Sequence, residues 1–397
     1  MLAASRPVQR PPQAKLLVVD ARGEITQAPR ANLVEILRPR DLVIANDAAT
    51  LPASLQGVHV PSGGRIEVRL AGRRSLAPDD VHEFSAIVFG SGDYRTRTEA
   101  RPLPPPLEVG DRLALGPLTA TIERRLGHPR LISLRFDGTA DVIWAGLARH
   151  GRPIQYAHIP ETLALWDVWT PIAGPPVAFE PPSAGFALDW RALAAMRDRG
   201  IAFTTLTHAA GISSTGDIEL DRRLPFDEPY YIPMATAIAI RRARLLGQRV
   251  VAIGTTVVRA LEHAAMSGRV RAGDGLATQR IGAGTRLRVV DVLLTGTHEP
   301  GTSHYELLRA FTDDATLRHV DRELAARDYR THEFGDSLLI ERKTDVATCL
   351  TTDRLGNPTF GLSRLGTAPT ERRNSRLSPA TFPPSLVDEA GNCDVRG

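Results

Sequence analysis

The sequence predicts an α/β protein: a main domain on a mixed or parallel sheet, carrying an inserted small all-β, barrel-like domain. Three observations carry that prediction. Near both ends of the 397-residue chain, β-branched runs alternate with amphipathic stretches, the pattern of a sheet covered by helices. Between about residues 61 and 150 this gives way to short alternating runs separated by Gly, Pro and Asp turns, as in a small barrel or sandwich. After His150 the α/β pattern returns. The main domain is therefore expected to be discontinuous, residues 15–60 with 151–341, around an insert of 61–150. Residues 1–14 and 342–397 are expected to be disordered tails, the second because Ser, Pro, Arg, Thr and Gly dominate it.

The elements follow in order. Residues 15–20, Lys-Leu-Leu-Val-Val-Asp, read as a strand and 32–37 as a short helix stopped by Pro39. Residues 41–46, Asp-Leu-Val-Ile-Ala-Asn, read as a buried strand with Asn46 and Asp47 at its carboxyl end, the edge where open α/β sheets bind ligands. Within the insert only 141–149 has helical periodicity. Asp189 is placed to cap a helix over 190–199 that Gly200 ends, and 201–208 follows as a strand. Pro233 opens a helix closed by Gly247; 286–294 and 337–340 read as strands, with helices over 303–311 and 316–327.

Composition narrows the chemistry. With 42% hydrophobic and 24% charged residues the chain has an ordinary globular balance, and its net charge of +4 is a small excess, giving weak support for an RNA partner. Lys15 and Lys343 are the only lysines, and neither lies in a site-like stretch, which argues against Schiff-base chemistry. Both cysteines, Cys349 and Cys393, fall in the carboxy-terminal tail, which excludes a disulfide framework or a Cys-rich zinc site from the core. The first fourteen residues have no apolar signal-peptide core, and no stretch has the length of a membrane span. A cytoplasmic location is expected, without membrane attachment; the oligomeric state is left open, a monomer being favoured.

The stretch 249–265 is the strongest local feature. A β-branched run ends on Gly254, Thr255 and Thr256 stand where a helix must begin, and Val257, Val258, Leu261 and Ala265 give that helix an apolar face. A glycine before a helix amino-terminus lets a ligand approach free N–H groups. Arg259 sits on the first turn, where the helix dipole does not favour a cation, so it calls for a carboxylate or phosphate partner. From the residues alone, this is equally an ordinary strand–helix connection with a surface arginine. His208, at a strand end before Ala209-Ala-Gly211, and His298, just past a strand end, can take or give a proton near neutrality. Asp291 lies in an apolar strand and needs a partner, an arginine or a ligand. Ser183 and Gly185 offer close backbone approach.

Residues 254–262, Gly-Thr-Thr-Val-Val-Arg-Ala-Leu-Glu, resemble a signature of the S-adenosylmethionine:tRNA ribosyltransferase-isomerases of queuosine biosynthesis. The resemblance continues in order through 41–47, 51–57 (Leu-Pro-Ala-Ser-Leu-Gln-Gly), 63–68 (Gly-Gly-Arg-Ile-Glu-Val), 182–185 (Pro-Ser-Ala-Gly), 289–294 and 334–340 (Phe-Gly-Asp-Ser-Leu-Leu-Ile). It implies an inserted β-barrel and a reaction that moves the ribosyl part of S-adenosylmethionine to the aminomethyl group of a modified guanine in a tRNA anticodon. Adenine and methionine leave and an epoxycyclopentane forms. The implied partners are S-adenosylmethionine as co-substrate, with no metal, and the tRNA anticodon stem-loop. S-adenosylmethionine would meet Gly254, Thr255, Thr256, Arg259, Ser183 and Gly185; Asn46, Asp47 and Glu67 would bind substrate; His208, His298 and Asp291 are the catalytic candidates.

The departures are specific. The family's Ala-Gly-Leu-His-Phe is Ala-Gly-Phe-Ala-Leu at 184–188, and its His-x-Met-His-x-Glu is Leu-Pro-Phe-Asp-Glu-Pro at 224–229, so site histidines are lost. His-Val-Gly-x-Gly-Thr-Phe becomes His-Ala-Ala-Gly-Ile-Ser-Ser at 208–214, and Asn-Phe-His-Leu-Pro becomes Gly-Thr-His-Glu-Pro at 296–300. Scaffold motifs persist while polar motifs change. Two further readings therefore stand beside the family reaction: a paralogue with another acceptor, and a nucleotide- or RNA-binding protein without turnover.

Overall fold

A computed structural model describes residues 1–343 of the chain. Its centre is a nine-stranded mixed sheet. From one edge the order is Gly273–Ala277, Glu228–Ile232, Ala202–His208, Leu42–Asn46, Val250–Ile253, Val292–Gly296, Ser337–Glu341, Lys15–Val19 and Ile25–Pro29. The four central strands from Ala202–His208 to Val292–Gly296 are mutually parallel, so Asn46, His208, Gly254 and Gly296 all arrive at one edge. Period-two alternation divides the core between two faces. Leu42, Ile44, Val250 and Ala252 pack on one side, and Val43, Ala45, Val251 and Ile253 on the other. Burial on both faces accounts for the continuous apolar runs.

The insert is a closed six-stranded antiparallel barrel, in the order Leu118–His128, Leu131–Phe136, Glu83–Phe89, Gly64–Gly72, Ser54–His59, Arg112–Leu115. Closure removes sheet edges that would otherwise be open to pairing. The barrel begins at Ser54 rather than near residue 61: Ser54–His59 pairs with Gly64–Gly72, because the loop between them is too short for the two strands to lie in different sheets. The helix Ala140–His150 returns the chain, placing Ile143 and Leu147 in the barrel core.

The expectation of a disordered amino-terminus is corrected. Leu2–Ala3 pairs in parallel with Arg330–Thr331, and Ala4 is buried beside Phe186 and Phe334. Gln9 Nε2 donates to the carbonyls of Asp167 and Trp169 at 2.9 and 2.8 Å, and Arg30 Nη2 donates to the Gln9 carbonyl at 2.6 Å. The segment is held by backbone and polar contacts to distant residues, which composition does not reveal. The expected tail at 342–397 lies, beyond Lys343, outside the described residues.

Asp189 caps the helix Trp190–Asp198, its Oδ1 accepting from Ala192 N at 2.7 Å. Asp189→Ala is expected to lower stability by about 1 kcal/mol. A denaturant midpoint unchanged from the parent would contradict this.

Candidate active site

The converging strand ends are tied together before any ligand arrives. Buried Asn46 accepts from His208 N at 2.9 Å and from Ala48 N at 3.1 Å, and its Nδ2 donates to the His208 carbonyl at 2.9 Å. Asp47 accepts from the hydroxyls of Thr205 and Thr207 at 2.8 and 2.7 Å. Both residues hold the edge in register and do not line the cavity beyond it. Gly254 turns the chain from Val250–Ile253 into the helix Thr255–Ala264 at φ 100°, a conformation that a β-carbon disfavours.

A cavity of about 370 Å³ opens on this edge, the size of a small-molecule site. Gly254, Thr255 and Thr256 line it, facing Ser183 and Ala184, the loop from Ala210 to Ser214, and the segment from Thr295 to Glu299. Six carboxylates stand along its wall (Glu180, Asp221, Glu228, Glu299, Glu306 and Glu333) against three arginines, Arg222, Arg259 and Arg280. A cavity with surplus negative charge in a basic chain is suited to a cationic ligand.

Arg259 lines the cavity, but its charge is already matched. Its Nη1 donates to Glu228 Oε2 in a buried ion pair, and Nη2 donates to the Ala277 and Phe226 carbonyls at 2.9 and 3.2 Å. The carboxylate partner that the sequence called for is therefore Glu228. Beneath this pair His208 is fully buried, with Nε2 3.4 Å from Glu228 Oε2 and no hydrogen bond at either ring nitrogen. Burial, reinforced by the Arg259 charge, pushes its pKa well below the ordinary histidine value. His208 thus supports the pocket floor as a neutral ring and does not reach the cavity.

His298 does line the cavity, with Nε2 2.7 Å from Thr295 Oγ1 and its ring stacked on His304 at 4.8 Å. Burial, then His304 and His332, push it well below the ordinary value. His304, also in the wall, is pushed down to about 4 by burial and by Arg259. Gly185 lies behind Ser183, where a β-carbon would come within 3.0 Å of Thr170 Cγ2.

Two expected site residues stand elsewhere. Asp291 precedes Val292–Gly296, roughly 16 Å of strand from the cavity edge. It accepts from Arg342 Nη2 and Val250 N, both at 2.9 Å, and from Arg244 Nη1 at 3.2 Å. An arginine cluster, not a ligand, is what its apolar strand demanded. Asp291→Ala is expected to cost about 1–3 kcal/mol while leaving S-adenosylmethionine affinity within about twofold; calorimetry showing lost affinity in a normally stable variant would overturn this. Glu67 is in the barrel wall, buried between Arg69 and Arg101 and accepting from Ser54 Oγ at 2.8 Å. Burial alone would raise its pKa, but the two guanidiniums outweigh that and hold it below the usual range. It organises the barrel interior and does not face the cavity.

The wall also contains groups that sequence reasoning missed. Buried Glu180 accepts from the Tyr156 hydroxyl and from Ser213 N at 3.0 Å; burial, then the nearby Glu333 charge, raise its pKa to about 7. His158 Nε2 lies 3.3 Å from Glu333 Oε2, and the His158 ring stacks on His332 at 4.3 Å. The available signal was adjacency: Glu180 is two residues before the Pro-Ser-Ala-Gly run, and Glu333 immediately precedes Phe334-Gly-Asp. His158, His332 and Glu333 bring nitrogen and oxygen atoms within 4.8 Å of one another. A tetrahedral zinc needs such atoms roughly 3.3–3.5 Å apart with converging lone pairs. Stacked rings hold their lone pairs nearly parallel, so this group is a ring pair with a carboxylate on one of its rings, His158.

Among the described residues no helix is long and apolar enough to cross a membrane. Residues 1–340 match the family model described as Queuosine biosynthesis protein. The S-adenosylmethionine:tRNA ribosyltransferase-isomerase of Citrifermentans bemidjiense is 33% identical over 348 residues, covering 85% of this chain and 96% of that protein. The protein of the same name from Gloeobacter violaceus is 34% identical over 346 residues, covering 85% and 92%. Among solved structures, that of an S-adenosylmethionine tRNA ribosyltransferase from Thermotoga maritima aligns over 85% of this chain and 96% of that one, at 22% identity and a TM-score of 0.46. With a match running through the whole sheet and the inserted barrel, the chain belongs to the queuosine biosynthesis protein family.

Proposed function

We propose that this chain is a ribosyltransferase-isomerase that takes the ribosyl group of S-adenosylmethionine to a modified guanine in a tRNA anticodon. The observation that carries the reading is the acidic cavity built on the family's own strand–helix turn at Gly254–Thr256. A sulfonium ion needs a site in which carboxylates outnumber cations; six carboxylates face three arginines here, and Arg259, the buried one of the three, is paired with Glu228. The amino end of the helix Thr255–Ala264 is the seat for the ligand's carboxylate, with Ser183 and Ala184 opposite.

The sulfonium acidifies the adjacent carbon and is itself a leaving group, so the protein must accept one proton and return one to departing adenine. Glu180, with a pKa near 7, is the donor. His298, kept neutral in the wall, is the acceptor that remains from the sequence candidates. The test is adenine release on incubating the chain with S-adenosylmethionine and tRNA that carries the aminomethyl-modified guanine. Release with that tRNA and not with unmodified tRNA supports the reading; none with either ends it.

A second reading, the same chemistry on another acceptor, is favoured by one observation. The chain lacks family histidines at 184–188 and 224–229, yet supplies His304 and His332 to the cavity from other segments. Adenine release with bulk tRNA lacking the modified base would select it.

A further inference from the structure

Three rings form a graded stack leading into the cavity. Tyr156 and His158 lie nearly parallel, 9° apart with centroids separated by 6.1 Å, and His158 and His332 follow at 4.3 Å and 18°. Tyr156 and His158 are half-buried, whereas His332 is exposed and lines the cavity. Among the described residues His332 stacks on no ring but His158, so the stack ends on an open imidazole. His332 holds this place from a left-handed backbone, φ 69°, a conformation costing a residue with a β-carbon on the order of 1–3 kcal/mol and concentrated at ligand-binding sites.

Beside that open ring stands Glu333. His158 engages its Oε2, leaving Oε1 uncommitted to any side chain among the described residues, and the residue lines the cavity. Burial would raise its carboxyl pKa, but the contact with His158 and the charge of His332 outweigh that and hold it below the usual range. Glu333 is therefore an anion, able only to accept hydrogen bonds. An open imidazole with an acceptor-only carboxylate at its side matches a planar heterocycle that carries neighbouring N–H donors. A guanine-type base has two along its pairing edge, the ring N1–H and the exocyclic amine. Adenine has one amine next to a ring acceptor, which a carboxylate repels.

We infer that His332 and Glu333 form the seat of the acceptor base: the base continues the Tyr156–His158–His332 stack, and its pairing-edge N–H donors are read by the Glu333 carboxylate. This rests on the proposed function for the identity of the acceptor, a guanine-type base swung out of its strand. It assigns His332 to stacking and Glu333 to specificity, distinct from the donor role of Glu180.

The test is equilibrium binding of guanosine, adenosine and S-adenosylmethionine to the full chain and to Glu333→Gln, His332→Ala and His332→Phe, each checked for folding by its thermal melt. Guanosine should bind more tightly than adenosine. Glu333→Gln should erase that preference and His332→Ala should weaken guanosine about tenfold, while His332→Phe, which keeps a stacking face, should restore most of it. S-adenosylmethionine affinity should stay within about twofold in the two His332 variants, which leave the carboxylates of the cavity in place. A parallel loss of S-adenosylmethionine affinity in those variants would make this the adenosine seat and overturn the inference. So would an absence of guanosine binding, or a preference that survives Glu333→Gln. A guanosine preference dependent on both residues, in a chain that releases no adenine with modified tRNA, would sink the reaction and leave the base seat standing.

Discussion

Arg259→Ala is expected to destabilise the protein by about 3–5 kcal/mol, because it strands a buried carboxylate. Among the described residues Glu228 pairs with no other cation: its Oε1 accepts from Gly211 N at 2.6 Å, and the His208 ring beside it is held neutral. Even with Arg259 present, burial keeps the Glu228 pKa above the ordinary value. Without Arg259 that rise must grow, so the folded state takes up a proton that the unfolded state lacks at the same pH. A carboxyl whose folded pKa exceeds its unfolded pKa contributes a penalty that increases with pH. The defect should therefore be smaller in mild acid and largest above neutrality. The variant Arg259→Met with Glu228→Leu, which removes both charges, should recover much of the loss. An unchanged melting temperature accompanied by lost S-adenosylmethionine affinity would instead make Arg259 a ligand anchor.

How much could be read from the sequence follows from what each feature depends on. The central strands were legible because burial on both faces demands unbroken β-branched runs, as at Leu42–Asn46 and Val250–Ile253. The barrel was legible as a change of period, although its first strand was not: Ser54–His59 follows a main-domain strand after a few residues, and no turn signal separates the two folds. Gly254, Thr255, Thr256 and His298 were placed at the cavity by a rule about strand ends, and Ser183 by the close backbone approach of its Pro-Ser-Ala-Gly run. The same rule misplaced His208 and Asn46, since a residue at a strand end can equally turn inward and tie neighbouring strands together. Asp291 failed for want of direction: it opens its strand, and binding edges lie where parallel strands end.

The missed residues share a physical reason. Tyr156, His158, Glu180, His332 and Glu333 come from irregular segments, where no periodicity announces which way a side chain points. What aligns them is a set of distant contacts. The amino-terminal residues Leu2–Ala3 pair with Arg330–Thr331, immediately before His332, and the Ala4 amide donates to the Thr331 carbonyl at 3.1 Å. A stretch that composition marks as a tail therefore braces one wall of the site. His304 and His332 reach the cavity from parts of the chain outside the motifs at 184–188 and 224–229, where no motif comparison would look for them.

Glu180→Gln is expected to lower single-turnover adenine release by about a hundred- to ten-thousand-fold with S-adenosylmethionine affinity nearly intact. The side chain is buried in the cavity wall, where the Tyr156 hydroxyl and Ser213 N–H fix its oxygens. Its pKa near 7 leaves a substantial protonated fraction at neutral pH, as a donor to departing adenine requires. The rate should fall as pH rises through about 7, and the glutamine variant should lose that limb. Stability supplies an independent readout. The ordinary value is 4.5 and the folded value about 7, so between them the folded state binds more protons than the unfolded one. Stability from this group is thus full below about 4.5 and lost as pH climbs towards 7, by at most roughly 3 kcal/mol. Glu180→Gln should remove that slope from a series of urea midpoints. If the slope vanishes but turnover persists, Glu180 is buried and protonated without being the donor. If both slope and turnover persist, the carboxyl does not titrate where its surroundings place it, and Glu180 is not the proton donor to adenine.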